Sequence, residues 1–336
     1  FTNKAAREMK ERVAQLVPKP ASRGLMVSTF HTLGLNIVRK EYHLLGYKSG
    51  FSIFDQHDTQ ALIRDLLIQQ HSMDSDSGQS EVADQADIIQ RQISNWKNAL
   101  VNPEQAIAEA QGPTEILCSQ AYTRYQRSMK AYNALDFDDL ILLPVQIFQQ
   151  FSEVLEKWQQ RVHYTLVDEY QDTNISQYLL IKLLIGKHGK LTAVGDDDQS
   201  IYAWRGARPE NLVQLQQDYP ALKLVKLEQN YRSTVTILKA ANRVIDNNPH
   251  VFEKKLWSEL GYGDPIRVIR CRNEEVECER VVTEILDRRV RGHGQFADFA
   301  VLYRSNHQAR LLELKFQAHQ IAYQISGGTS FFSRNE

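Results

Sequence analysis

Three cysteines in 336 residues, Cys118, Cys271 and Cys278, form no Cys-x-x-Cys pair and no His-rich cluster. That excludes a disulfide scaffold and a zinc ribbon, and reads as free thiols in a reducing cytosol. No apolar run approaches the roughly 18–20 residues that a membrane helix needs, and no signal-peptide pattern opens the chain. Charge of one sign is not in excess either. Lys and Arg total 40 against 41 Asp and Glu, a net charge of −1, so any nucleic-acid surface must be local. Solenoid-type repeats are absent. The glycine-rich Ile325-Ser326-Gly327-Gly328-Thr329-Ser330 lacks Gly-Lys-Ser/Thr and is not a phosphate loop. What is present, 42% hydrophobic and 24% charged residues, is an ordinary globular composition. The length suffices for two or three domains.

Periodicity divides the chain. Residues 3–16 have helical spacing, with Ala6, Met9, Val13 and Leu16 on one face and Asn3 as cap. A short strand is expected at 25–28, then a helix from Thr29 through Leu45. From about 55 to 134 the pattern is helical, with Leu62, Leu66, Ile89, Ile93, Trp96, Tyr122 and Tyr125 as core positions. Within it, residues 72–87 are rich in Ser, Asp and Gly and read as a solvated loop. Strands at 164–167, 191–194 and 222–227 then alternate with helices at about 174–186 and 209–218. That order predicts a parallel sheet with helices on its faces. A second rhythm places helices at 234–247, 274–290 and 306–319 and strands at 266–270, 299–303 and 322–325. Residues 247–265, with Pro249, Gly261, Gly263 and Pro265, look irregular.

The chemistry concentrates at two strand ends. Leu166-Val167-Asp168-Glu169-Tyr170-Gln171-Asp172-Thr173 delivers two carboxylates to the edge of a sheet, where ligands of open α/β folds bind. Adjacent carboxylates repel unless a cation or a division of labour separates them. A magnesium nucleotide supplies both: Asp168 for the metal, through a water, and Glu169 for the attacking water. The alternative is a pair capping a helix start. Val194-Gly195-Asp196-Asp197-Asp198-Gln199-Ser200-Ile201-Tyr202-Ala203-Trp204-Arg205-Gly206 repeats the design. There Gln199 suits a sensor of a terminal phosphate, or else is a surface-turn glutamine. Gln229-Asn230-Tyr231-Arg232-Ser233 offers Tyr231 as a flat face for a base and Arg232 as a fork for phosphate oxygens. Phe30, Phe137, Tyr202 and Trp204 lie where bases of a single strand could stack. Arg205, Arg208, Arg304 and the basic first helix with Lys4, Arg7, Lys10 and Arg12 could contact phosphates. Taken singly, a Phe or Trp is usually core, and Glu8 and Glu11 pair part of that helix; only the polar-flanked Tyr202-Ala203-Trp204-Arg205 run favours DNA on its own. Asp136, Asp138 and Asp139 suggest a metal site, yet read equally as a helix start with favourable dipole charges.

These motifs, together with Phe1-Thr2-Asn3-Lys4-Ala5-Ala6, Ser28-Thr29-Phe30-His31-Thr32, Leu135-Asp136-Phe137-Asp138-Asp139-Leu140 and Leu302-Tyr303-Arg304-Ser305-Asn306, closely resemble the UvrD/Rep-type helicases of superfamily 1, end to end and in order. The resemblance implies an α/β fold of RecA-like, P-loop NTPase type. Residues 1–30 and 138–228 would form the first RecA-like domain, 31–137 its helical insertion, and 229–336 a partial second one. It implies ATP and Mg2+ in the cleft, with 3′–5′ movement on single-stranded DNA up to duplex junctions. A bacterial, nucleoid-associated cytosolic setting and replication or repair partners follow from the same likeness. By position, Asp168 and Glu169 match the metal and base pair, Gln199 the phosphate-coupling glutamine, Arg232 the phosphate arginine and Tyr231 the adenine-stacking residue. Phe30, Phe137, Tyr202, Trp204, Arg205, Arg304 and Asn306 match DNA contacts.

The departures are the family's Walker A loop, expected before Phe1, and its arginine-finger motifs, expected after Glu336. The expectation is therefore an internal piece that alone neither binds ATP tightly nor hydrolyses it. Two alternatives stand beside it: a non-catalytic DNA-binding or scaffolding module, and the motor portion of a helicase–nuclease.

Overall fold

A computed structural model describes residues 3–18, 20, 22, 24–69, 78–186, 189–248 and 252–325. The chain forms two compact units, Phe1–Asn230 with Ala240–Trp257, and Tyr231–Lys239 with Ser258–Glu336.

The first unit opens with α1 (Asn3–Leu16), at the expected residues. Its apolar stripe is not core: Met9 and Leu16 stand exposed, and Ala6 and Val13 are half-buried. Thr29 starts α2 (Phe30–Glu41), its Oγ1 accepting from the Thr32 N–H at 3.3 Å. A 3-10 turn, Tyr42–Leu45, then closes at left-handed Gly46. After β1 (Ser52–Ile53) comes the helical block α3 (Gln56–Ile68), α4 (Gly78–Asn98), α5 (Pro103–Glu109) and α6 (Gly112–Ala131). Reciprocal boxes, Asp55 with Asp58 and Asn102 with Gln105, cap α3 and α5. The block packs Leu62, Ile63, Leu67, Ile89, Ile93, Tyr122 and Tyr125 into one core. Each side chain so buried contributes about 1.5–3 kcal/mol.

β2 (Ala134–Leu135) pairs in parallel with β1 and leads into α7 (Asp139–Gln150) and α8 (Ser152–Gln159). α2 lies on α7, and Gly34 permits the approach: a Cβ there would stand 1.7 Å from the Leu140 carbonyl oxygen. That carbonyl faces Pro144 four residues on, which has no N–H to give it. β3 (Thr165–Val167) and β4 (Leu191–Ala193) pair in parallel, Val167 opposite Ala193. Between them runs α9 (Ile175–Ile185), apolar nearly all round and packed on α7 and α8. α10 (Glu210–Asp218) follows.

α11 (Val235–Ile245) begins in the second unit. That unit is built on α12 (Glu274–Val290) against α13 (Ala309–Ala318), with Cys278, Val282, Ile285 and Leu312 buried and Lys315 paired to Glu279 at 2.7 Å.

The result is a helix-rich α/β protein with two small parallel sheets among the described residues. Several expected strands do not form ladders. Residues 25–28, 222–227, 266–270, 299–303 and 322–325 run without paired neighbours in any described sheet, leaving Val268 94% and Leu302 93% exposed. An apolar, β-branched sequence favours extended backbone, but a ladder needs a partner strand that local pattern does not supply. The expected loop at 72–87 is also corrected. Residues 70–77 lie outside the described residues, but α4 already runs from Gly78, and Ala86 on its inner face is fully buried. Val82, Ala86, Ile89 and Ile93 recur at helical spacing and face the core, which outweighs the polar composition.

Candidate active site

β3 ends at Val167, and the ladder continues through Val194 N–H to Val167 O at 2.8 Å and Tyr170 N–H to Val194 O at 2.9 Å. These two bonds hold the Asp168–Glu169 turn beside the turn that follows β4. Asp168 and Glu169 are both exposed at the strand end. Glu169 has φ 53° and ψ 45°, left-handed backbone for a residue with a Cβ. Such a conformation costs on the order of 1–3 kcal/mol and persists only where neighbours enforce it.

Backbone bonds on either side hold it, the Glu169 N–H donating to Asp168 Oδ1 at 3.0 Å and the Asp172 N–H to Glu169 O at 3.0 Å, while its side chain is fixed by Gln171, 1% exposed. Its Nε2 donates to Glu169 Oε2 at 2.8 Å, and its Oε1 accepts from the Asp196 N–H at 3.0 Å. Gly195 leaves room for this amide, since a Cβ there would stand 2.8 Å from Gln171 Oε1. Gln199 Nε2 in turn donates to Asp196 Oδ2 at 2.7 Å. Glu169, Gln171, Asp196 and Gln199 therefore form one hydrogen-bonded relay across the two strand ends. Next to it, Asp172 is buried, with Oδ1 unpartnered among the described residues. Burial first, and then the Glu169 charge, raise its carboxyl above the usual range.

Asp196, Asp197 and Asp198 bring carboxylate oxygens within 4.8 Å of one another, a spacing that could hold a cation. Lys254 fills that role. Its Nζ lies 2.5 Å from Asp196 Oδ1 and 3.0 Å from Asp198 Oδ2, and also contacts Asp197 Oδ1. Desolvation disfavours the ammonium, but the three carboxylates outweigh it and raise its pKa.

Of the DNA candidates in this unit, Trp204 is 71% exposed in the 3-10 turn Ala203–Arg205, and Phe137 is 52% exposed, edge-on to His31 at 6.2 Å. Tyr202 is half-buried. Phe30 is half-buried too, packed against both neighbouring cores. The side chain of Arg205 lies outside the described residues. Tyr231, Arg232, Arg304 and Asn306 belong to the second unit and are exposed there. Tyr231 and Arg232 precede α11, and the Arg304 N–H donates to Gln308 Oε1 at 2.9 Å where a 3-10 turn begins at Asn306.

Asp136, Asp138 and Asp139 are not a metal site. Lys97, 1% exposed, sits between Asp136 Oδ2 and Asp139 Oδ1, 2.7 Å from each. Tyr125 OH adds a bond to Asp136 Oδ2 at 2.8 Å. Desolvation opposes ionisation of Asp136, but Lys97 overcomes it and keeps that carboxyl low. Burial and then the Asp136 charge push Asp139 up. Sequence reading missed Gln171, Lys97 and Lys254. Gln171 alone had a local signal, standing two residues from Glu169.

Two family models match the chain: the UvrD/REP helicase N-terminal domain over residues 1–220 and the UvrD-like helicase C-terminal domain over 225–336. The chain belongs to the UvrD/Rep helicase family. It is 54% identical over 339 aligned residues to the ATP-dependent DNA helicase Rep of Salmonella typhimurium and, equally, to that of Escherichia coli, covering 100% of this chain and 49% of each relative. The ATP-dependent DNA helicase PcrA of Staphylococcus aureus is 42% identical over 336 residues, 45% of its length. The chain thus spans about half the length of the curated relatives it matches. Against a magnesium nucleotide, the residues present fit the metal and water side: exposed strand-end carboxylates tied to a glutamine by a buried amide. Residues 1–336 hold no Gly-Lys-Ser/Thr to cradle phosphates. No described helix is long and apolar enough to cross a membrane.

Proposed function

We propose that this chain carries the water-activating and DNA-gripping parts of an ATP-dependent 3′–5′ DNA helicase with RecA-like domains. The Glu169–Gln171–Asp196–Gln199 relay supports the reading best, because it joins a strand-end carboxylate to a neutral amide through one buried side chain. A base that must act on one water needs a fixed rotamer. Gln171 holds Oε2 and leaves proton acceptance to Glu169 Oε1. Gln199 carries no charge that changes on hydrolysis, so it can report the terminal phosphate by hydrogen bonding alone.

In the same reading, Asp168 holds magnesium through a water, Tyr231 stacks on adenine and Arg232 contacts phosphate. Bound magnesium with ATP supplies charge neutralisation at the transferred phosphoryl group. Phe137, Trp204 and Tyr202, with Phe30, Arg205, Arg304 and Asn306, contact single-stranded DNA near a duplex junction. Stacking on the exposed rings is indifferent to base sequence, as a translocase requires. Replication or repair in the bacterial cytosol is the setting this implies.

The test is Glu169→Gln in the protein expressed from its full open reading frame. DNA-stimulated ATP turnover should fall about 10²–10⁴-fold while single-strand affinity is kept. Turnover retained at the wild-type rate sinks the assignment. Residues 1–336 expressed alone should neither bind ATP tightly nor hydrolyse it.

A further inference from the structure

The last turn of α4 puts Lys97 and Asn98 side by side, and both reach the turn that carries Phe137. Lys97 grips Asp136 and Asp139, the residues on either side of that turn. Asn98 Nδ2 donates to Asp138 Oδ1 at 3.2 Å and to Ser94 O at 2.9 Å. Its Oδ1 accepts from Asn174 Nδ2 at 2.6 Å. Asn174 caps α9, accepting from Gln177 N–H at 2.9 Å and Ser176 Oγ at 2.8 Å, in the segment that leads directly from Glu169.

A third segment meets them. Gly206 ends the Trp204 turn with φ 80°, and a Cβ placed on it would be 3.9 Å from the Cβ of Asn98 and of Asn174. The Phe137 turn and the segment bearing the base therefore meet on one carboxamide that uses both its donor and its acceptor, with the end of the Trp204 turn close beside its Cβ.

We propose that Asn98 is a positioning residue that links the Phe137 turn to the catalytic segment, so that single-stranded DNA held at that turn speeds hydrolysis at Glu169. The proposal rests on the helicase reading. An amide bridging two polar partners has a defined geometry, and a shift of the Phe137 turn is passed to the α9 cap without any change in charge. Lys97 makes the turn rigid, and Asn98 carries its displacement onward.

The experiment measures three quantities for Asn98→Ala in the protein expressed from its full open reading frame: basal ATP turnover, single-strand affinity, and the stimulation of turnover by saturating oligo-dT. The stimulation should drop about 5-fold or more, with the other two within about two-fold of wild type. Asn174→Ser keeps a good helix cap but is too short to reach Asn98, and should give the same loss. The double variant should be no worse than either single one, as expected for two ends of one link. Stimulation preserved in both variants overturns the proposal. So does a parallel fall of basal and stimulated rates, which would mark a purely structural role. If Asn98→Ala does not fold, Asn174→Ser decides alone. A wild-type protein whose turnover DNA does not stimulate fails at the helicase reading itself, a different result from a stimulated wild type with stimulated variants.

Discussion

Two clusters in the first unit each gather three aspartates in a short run, Asp136-Phe137-Asp138-Asp139 and Asp196-Asp197-Asp198-Gln199, and each receives one lysine from far along the chain. They differ in water. The Lys97 side chain is fully buried with Asp139, whereas Lys254 and Asp196 keep 19% and 29% of their side-chain surface. In the dry cluster the charges cannot separate without a large desolvation penalty, so it braces the Phe137 turn. In the second cluster Asp197 and Asp198 keep only 4% and 7% of their side-chain surface. Water nevertheless reaches Lys254 and Asp196 and can replace the bond between them, so the Asp196 end of the loop that carries Gln199 can adjust. Burial, rather than residue type, sorts an aspartate triplet into brace or adjustable loop.

The largest effect that tests this contrast is Lys97→Met. Leaving Asp136 and Asp139 buried without their cation should cost about 3–5 kcal/mol in urea unfolding of the chain. A loss below about 1 kcal/mol would show that the carboxylates neutralise by protonation at no cost, and the brace would be no brace.

A smaller effect is expected with pH. Burial first, then the Asp136 charge, push the Asp138 carboxyl up to about 6. The folded protein then keeps a proton that the unfolded chain releases near pH 4, so this contribution is present below that pH and is lost as pH rises through 6. Asp139, pushed up to about 7 in the same cluster, adds to the decline over this window and extends it. Stability should therefore fall by about 1–2 kcal/mol for each group, and Asp138→Asn should lessen the slope without abolishing it. An unchanged slope would place the titration elsewhere.

The smallest stability effect belongs to Lys254→Met, about 1 kcal/mol or less because the pair is partly solvated. Here the readout is different: three carboxylates within 4.8 Å lose their ammonium, and terbium luminescence should report a new divalent-competed cation site. Silence in that assay would mean the loop relaxes when its lysine leaves.

Much of the helical layout was legible, since α1 and α12 fall at the expected residues, where amphipathic spacing and an asparagine cap at Asn273 are local signals. The strand ends at Asp168 and Gln199 were legible for the same reason: an apolar run and its polar exit are contiguous. What joins them was not. Lys97 lies 39 and 42 residues from its partners, and Asn174 lies 76 residues from Asn98. Lys254 comes from an irregular stretch 57 residues beyond Asp197. Such links depend on tertiary packing, which no short window of sequence records. The expected strands at 266–270 and 299–303, which form no ladder in any described sheet, show the limit from the other side: their pattern describes a surface that fits a sheet but does not name a partner.

Gly34 against the Leu140 carbonyl also sets a separation. Phe30 and His31 begin one of the two helices in that contact, and Phe137 and Asp138 lead into the other. With backbone pressed on backbone there is no side chain between them to absorb a displacement, so the two helix starts are tied at one close separation. A methyl group at position 34 would have to force that carbonyl aside, and Phe30 and Phe137 would part with the helix starts that carry them.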